Sequence, residues 1–309
     1  MRKDLLRVDE MNNGRIDDKI YVIGISRRDL QMKMVPLFSW HTFIVFGFCL
    51  HSKADMQNLI RYPARVAFGH VDVGALEHAQ DRSPDNAVKK LFKMGVQVWK
   101  ESTCVDFTED KNAQDKIIVV KEGECWSDIG RFGGDQFLSL DNGCEERCAV
   151  HEIGHALGLL HTMGRFDRDN YIQVVTHNID PSFLDEFAKV HPTYAEVYGL
   201  TYDYGSIMHY DEQTYSANNM TTMIATNPFY QKTMGSPIVS FSDIFVVNER
   251  YGCNARCNKS TSAKCLNEGF PHPRNCSICI CPGGYGGALC DRRPSGCGED
   301  LEATRRKRS

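Results

Sequence analysis

His151, Glu152, His155 and His161 are the residues of this chain whose types and spacing can act together chemically. They lie in the stretch His151-Glu152-Ile153-Gly154-His155-Ala156-Leu157-Gly158-Leu159-Leu160-His161. On a helix, residues four apart share a face, so His151 and His155 can offer two imidazoles to one metal ion with Glu152 beside them. Gly158 can take a positive φ and end the helix, which lets His161 fold back as a third ligand instead of being carried to another face. Three imidazoles on zinc leave one tetrahedral position for water, the arrangement of a catalytic rather than a structural site. A lone H-E-x-x-H can arise by chance on a surface helix, but the added G-x-x-H at fixed spacing makes chance a poor explanation.

Such a helix needs a core beneath it. Ser83 suits an N-cap and Pro84 a first helical position. Val88, Leu91, Phe92, Gly95, Val98 and Trp99 then recur at helical spacing, so an amphipathic packing helix is expected from about Pro84 to Glu101. Cys104 to Phe107, Lys116 to Lys121 and Phe137 to Leu140 are short β-branched or apolar runs bounded by polar residues and read as strands. Gly130 to Gly134 reads as a loop whose glycines fit no nucleotide fingerprint. After the zinc motif, Arg165, Asp167, Arg168 and Asp169 read as a solvated charge cluster, and Tyr202 to Tyr210 as a dense aromatic stretch holding Met208.

The 309 residues can hold one sizeable core and a smaller module. Ordinary hydrophobic and charged fractions of 42% and 25% exclude a disordered chain, and a net charge of -4 gives no basic footprint for nucleic acid. Of 13 cysteines, eight crowd between Cys253 and Cys297. That density reads as a disulfide-held module made in an oxidising compartment, since so short a piece cannot be held by a hydrophobic core. The sequons at Asn219, Asn258 and Asn275 agree with secretion. Lys33 to Leu50 followed by Ser52-Lys53-Ala54 is similar to a signal peptide, with a basic start, an apolar run and small residues three apart. Cleavage is expected after Ala54, and the run is too short for a stable membrane span.

Taken together, the motifs resemble the astacin family of metzincin zinc metalloproteases. The long signature from His151 to His161 is followed by the R-x-D-R-D run at Arg165 to Asp169, and Ser206-Ile207-Met208-His209-Tyr210 is similar to the family's methionine turn. Ser127 to Gln136 and Phe241-Ser242-Asp243 also look like family segments. The resemblance implies an α+β, two-lobed zincin-like catalytic domain, with a mixed twisted sheet above the zinc cleft. It implies His151, His155 and His161 as Zn2+ ligands, Glu152 as the general base, Met208 as the apolar floor, and Tyr210 as a tyrosine that can bind the metal and stabilise the oxyanion. Phe137 to Leu140 is expected to be an edge strand that pairs with extended substrate. Extracellular proteins or peptides are the implied substrates, as in matrix, cuticle or precursor processing.

By the same resemblance, Cys104 pairs with Cys253 and Cys125 with Cys144. The last six resemble an EGF-like module paired Cys257–Cys276, Cys265–Cys279 and Cys281–Cys290, leaving Cys148 and Cys297 without assigned partners. The expected organisation is a leader over 1–54 with its signal-like segment at about 32–54, and then an unassigned segment or first-strand remnant over 55–83. The peptidase domain follows over 84–253, the EGF-like module over 254–291, and a tail over 292–309 resembling the start of a CUB domain, a layout typical of nematode astacins. The chain departs from the family at Thr162, where a glutamate usually follows the third histidine, and no prosegment is recognisable between Ala54 and Ser83. Thr162 and the absence of a recognisable first strand before Ser83 favour an alternative, a non-catalytic extracellular binding or adhesion protein, which the intact ligand set and Glu152 oppose.

Overall fold

Asp85 starts the first helix, α1 (Asn86–Ser102). Ser83 and Pro84 stand just outside it, because the Asp85 carboxylate accepts hydrogen bonds from the backbone N–H groups of Ala87 at 2.9 Å and Val88 at 3.0 Å. A carboxylate holding two otherwise orphaned donors at the positive end of a helix dipole is a stronger cap than a serine hydroxyl. The computed structural model describes residues 22–23, 82–141, 143–294 and 296. The signal-like segment at 32–54, residues 55–81 and the tail beyond residue 296 lie outside the described residues.

The buried face of α1 carries Val88, Phe92, Gly95 and Trp99. It packs on α2 (Glu146–Ala156), the helix of the histidine motif. Trp99 is fully buried and its indole N–H donates to the Val150 carbonyl at 2.8 Å, tying the two helices directly.

Against these helices lies a mixed four-stranded sheet of β1 (Val22–Ile23), β2 (Lys116–Val120), β3 (Trp126–Ser127) and β4 (Asp135–Ser139), in the order β1-β2-β4-β3. β2 and β4 are parallel, and the other two pairings are antiparallel. Ile117, Val119, Leu138 and Leu140 face the helices as a continuous apolar layer. Two expectations change here. β4 is interior, because Trp126 and Ser127 pair with Ser139 and Leu138 and leave β3 at the edge. Two residues of β3 are too few for a period-2 pattern to reveal.

Residues 104–107 form no strand either. The Cys104–Cys253 disulfide anchors their start, and their backbone groups bond elsewhere: the Val105 N–H to Thr103 Oγ1, the Cys104 carbonyl to Arg256, and the Val105 carbonyl to Arg274.

A second apolar cluster gathers Met163, Ile172, Ile179, Phe187, Tyr202, Tyr204, Tyr210 and Met223 around a small antiparallel pair, β5 (Ile172–Val174) and β6 (Met223–Ala225). α3 (Phe241–Arg250) then returns to the first core through Val247. Its capping box is complete, with Ser240 and Asp243 each bonding the other's backbone N–H.

After Cys253 the chain forms a hairpin, β7 (Phe270–His272) and β8 (Asn275–Ile280), bound by Cys257–Cys276, Cys265–Cys279 and Cys281–Cys290. The piece is docked on the larger part. Phe270 packs against Phe241 and Phe245 of α3, with ring centroids 5.5 Å away in each case. Arg274 pairs with Asp106 at 2.9 Å. Cys125–Cys144 closes a loop in the sheet region, and Cys148 is disulfide-bonded as well. Among the described residues, no helix is long and apolar enough to cross a membrane.

Because Trp99 fills the junction of α1 and α2 completely, Trp99→Ala is expected to cost about 3–5 kcal/mol. Met94→Ala on the exposed face of the same helix should stay within about 0.5–1 kcal/mol. Urea unfolding under non-reducing conditions measures both.

Candidate metal centre

α2 delivers His151 and His155 one turn apart. Gly158, at φ 98°, ends the run and turns the chain back so that His161 meets them. The three imidazoles are buried, and their nearest ring nitrogens all lie within 4.8 Å of one another. His161 Nε2 is 3.1 Å from both His151 Nε2 and His155 Nε2.

The outward nitrogens settle the tautomers. His151 Nδ1 lies 2.7 Å from the Ile207 carbonyl and His155 Nδ1 lies 2.8 Å from the Leu159 carbonyl. A carbonyl can only accept, so each Nδ1 carries the proton and each Nε2 presents a lone pair inward. Burial holds all three rings neutral, taking His151 down to about 4 and His155 and His161 well below the usual histidine range. The inward lone pairs of His151 and His155 converge with His161 Nε2 on one point, a set that suits a cation. Tetrahedral zinc with Zn–N bonds of about 2.0–2.1 Å would set the nitrogens roughly 3.4 Å apart, close to what is seen.

Glu152 is fully buried beside this cluster, and neither carboxylate oxygen accepts a hydrogen bond among the described residues. Burial raises its carboxyl well above the usual range. A buried carboxylate with no internal donor costs stability, which suits a group kept for a water or a substrate proton. The donor set and the orphaned carboxylate therefore fit zinc.

The floor is built by the turn over residues 206–208. The Asp243 carboxylate on α3 accepts from Ser206 Oγ at 2.6 Å and from the Ile207 N–H at 3.0 Å, while the Ile207 carbonyl holds His151. Met208 rises against α2 at Gly154, where an added Cβ would stand 2.9 Å from the Met208 sulfur and 3.2 Å from Trp99 Cζ2. The Thr162 N–H donates to the Met208 carbonyl at 3.0 Å, joining the turn to the third histidine.

Tyr210 is fully buried, with its ring centroid 4.4 Å from that of His161. Its hydroxyl donates to Glu186 Oε2 at 3.3 Å.

Of the charge cluster, Asp169 is exposed, but the two arginines do not lie on a solvated face. Arg168 is buried and its guanidinium bonds the carbonyls of Met163 and Phe187, while Arg165 pairs with Asp167 and bonds the Leu200 carbonyl. Backbone carbonyls at loop ends are stable partners for a buried guanidinium, but no local pattern announces them. Asp243 and Glu186 have no assigned role in the sequence reading. The S-x-x-D capping box points to Asp243 as a helix start, while nothing local points to Glu186.

An α+β fold with three converging histidines and a buried glutamate on the ligand helix is zincin-like. A profile of the Astacin peptidase family matches residues 73–252, and the chain belongs to that family. It is 49% identical over 225 residues to zinc metalloproteinase nas-31 of Caenorhabditis elegans, covering 72% of this chain and 37% of that protein. Zinc metalloproteinase nas-25 of the same species is 38% identical over 229 residues, covering 72% and 57%. The chain thus spans less than two thirds of either relative. Among solved structures, high choriolytic enzyme 1, a hatching enzyme zinc-protease from the medaka Oryzias latipes, superposes with a TM-score of 0.51 at 30% identity. That match covers 55% of this chain and 84% of the other.

Zinc titration of the apo-protein should saturate at a single ion per chain and raise Tm, since a ligand that binds only the folded state stabilises it. His161→Ala should abolish tight binding while leaving the circular dichroism of the fold unchanged. Calorimetry and metal analysis read both.

Proposed function

We propose that this protein is a secreted zinc-dependent endopeptidase that hydrolyses peptide bonds of extracellular proteins. The observation that carries the reading is the Glu152 carboxylate, buried and without a hydrogen-bond donor among the described residues, next to three imidazoles whose ring nitrogens converge. An adhesion protein has no use for a carboxylate kept in that state, so the geometry favours catalysis over the binding-protein alternative.

His151, His155 and His161 would hold the ion. Zinc, when bound, lowers the pKa of a water at its open position to about 7 and polarises a carbonyl oxygen. Glu152 takes a proton from the attacking water and delivers it to the leaving amine nitrogen. The Tyr210 hydroxyl donates a hydrogen bond to the oxyanion that develops on the scissile carbonyl. Met208 and the Asp243 clamp keep the ligand helix from moving as charge develops.

Substrate would lie extended between two lobes built on the two apolar clusters, pairing with the outer edge of β3, beyond which no strand stands among the described residues. Residues 254–291 would form an EGF-like module, a reading supported by the interleaved first two disulfides and the following third on the β7/β8 hairpin. The disulfides support an oxidising, extracellular destination. Asn219, Asn258 and Asn275 are exposed, as N-glycan acceptors would need to be. Matrix, cuticle or precursor proteins are the proposed substrate class.

Incubating the zinc-loaded full chain with a mixed peptide library should give internal cleavage. Glu152→Gln should retain zinc and lose about 10²–10⁴-fold in rate. A zinc-loaded wild type that cleaves nothing, and so equals the variant, would overturn the enzyme reading in favour of a binding protein.

A further inference from the structure

Tyr210 and His161 pack ring to ring, yet the Tyr210 hydroxyl is directed to a carboxylate from a different part of the chain. Glu186 sits near the end of a 3-10 segment, Pro181–Phe187, started by the Asp180 carboxylate, which accepts from the Ser182 N–H at 2.9 Å. That segment is pinned at its far end, where buried Arg168 bonds the Phe187 carbonyl, and the same guanidinium bonds the Met163 carbonyl two residues beyond His161. The backbone carrying Glu186 and the loop carrying the third histidine are thus fastened by one side chain.

Around the Glu186 carboxyl group, which burial pushes up to about 8, stand Tyr210, whose hydroxyl donates to it at 3.3 Å, and Tyr215, which is hydrogen-bonded to Tyr210. The rings leave Tyr210 little freedom. Its centroid is 5.6 Å from that of Tyr215 at 80° and 5.9 Å from that of Phe187 at 73°. A phenol packed this way retains mainly rotation of its O–H, and that rotation is set by the best acceptor within reach.

We propose that Glu186 is a positioning residue for the Tyr210 hydroxyl. Its carboxyl oxygen accepts the phenolic hydrogen bond, holds the ring against His161, and keeps the hydroxyl at a defined place from which it turns to the reacting carbonyl. The inference rests on the reading of Tyr210 as the oxyanion donor. Positioning of this kind acts on the transition state more than on substrate binding, so its loss falls on kcat rather than KM. The conservative amide keeps an acceptor oxygen at the same place, whereas methionine keeps the volume and removes the acceptor.

The test compares the zinc-loaded wild type with Glu186→Gln, Glu186→Met, Tyr210→Phe and the double variant Glu186→Met/Tyr210→Phe. Peptide hydrolysis is measured together with calorimetric affinity for a phosphinic peptide, whose tetrahedral oxyanion resembles the transition state. Zinc content and Tm verify that each variant is folded. The expected results are near-wild-type behaviour for Glu186→Gln and about a tenfold fall in kcat at unchanged KM for Glu186→Met. Phosphinate affinity should fall by a similar factor, and Glu186→Met should have no further effect once Tyr210 is phenylalanine. Equal loss from Glu186→Met in the presence and absence of the Tyr210 hydroxyl, or a loss confined to KM, would overturn the proposal. Full activity and full phosphinate affinity in Tyr210→Phe would overturn the donor reading itself and this inference with it. If Glu186→Met does not fold, wild-type behaviour of Glu186→Gln together with a tenfold loss in Glu186→Ala supports the proposal, and unchanged kcat in Glu186→Ala overturns it.

Discussion

Three imidazole nitrogens crowded to 3.1 Å, neutral, buried and aimed at one point, are an arrangement that a folded chain does not keep without compensation. The inward nitrogens of His151 and His155 carry lone pairs, burial keeps the rings neutral, and the neighbouring Glu152 carboxylate has no hydrogen-bond donor among the described residues. A divalent cation relieves each of these costs at once. The rest of the molecule can be understood as the frame that keeps this unfavourable grouping together.

The frame works from two sides. α1 and the sheet hold α2 from behind, with Trp99 filling the seam. From the other side, Asp243 clamps the turn at Ser206 to Met208, and that turn presents both the Met208 side chain and the carbonyl that orients His151. The Cys104–Cys253 bridge joins the end of α1 to the end of α3, closing the frame covalently. Docking of Phe270 on Phe241 and Phe245 adds the disulfide-held hairpin to the outside of the same helix that carries Asp243. The metal site and the C-terminal piece thus share α3 as a common support.

Much of this is legible in the residues, and the exceptions have physical causes. The apolar spacing of α1 and the β-branched run of β2 express local preferences that the tertiary structure does not oppose. The cap of α1 falls at Asp85 rather than Ser83 because a carboxylate satisfying two N–H groups outcompetes the alternatives nearby. Residues 104–107 have the composition of a strand but lie where a disulfide and two arginines take their backbone groups, so no ladder forms. β3 is invisible to pattern reading because two residues carry no period, and with it goes the identity of the sheet edge. The arginines after the zinc motif have the composition of a wet surface, yet Arg168 is buried because carbonyls from two separate loops converge on it.

What the sequence determined by itself was the ligand set. Two histidines four apart on a helix, a glutamate between them and a glycine that can turn left-handed specify a three-imidazole cluster through local geometry alone. The tertiary structure decided what surrounds it. Asp243 reaches Ser206 across 37 residues, and Tyr210 reaches Glu186 across 24. Contacts of that range follow from how two cores and their connecting loops pack, and no periodicity in the chain encodes which distant acceptor a buried hydroxyl will find.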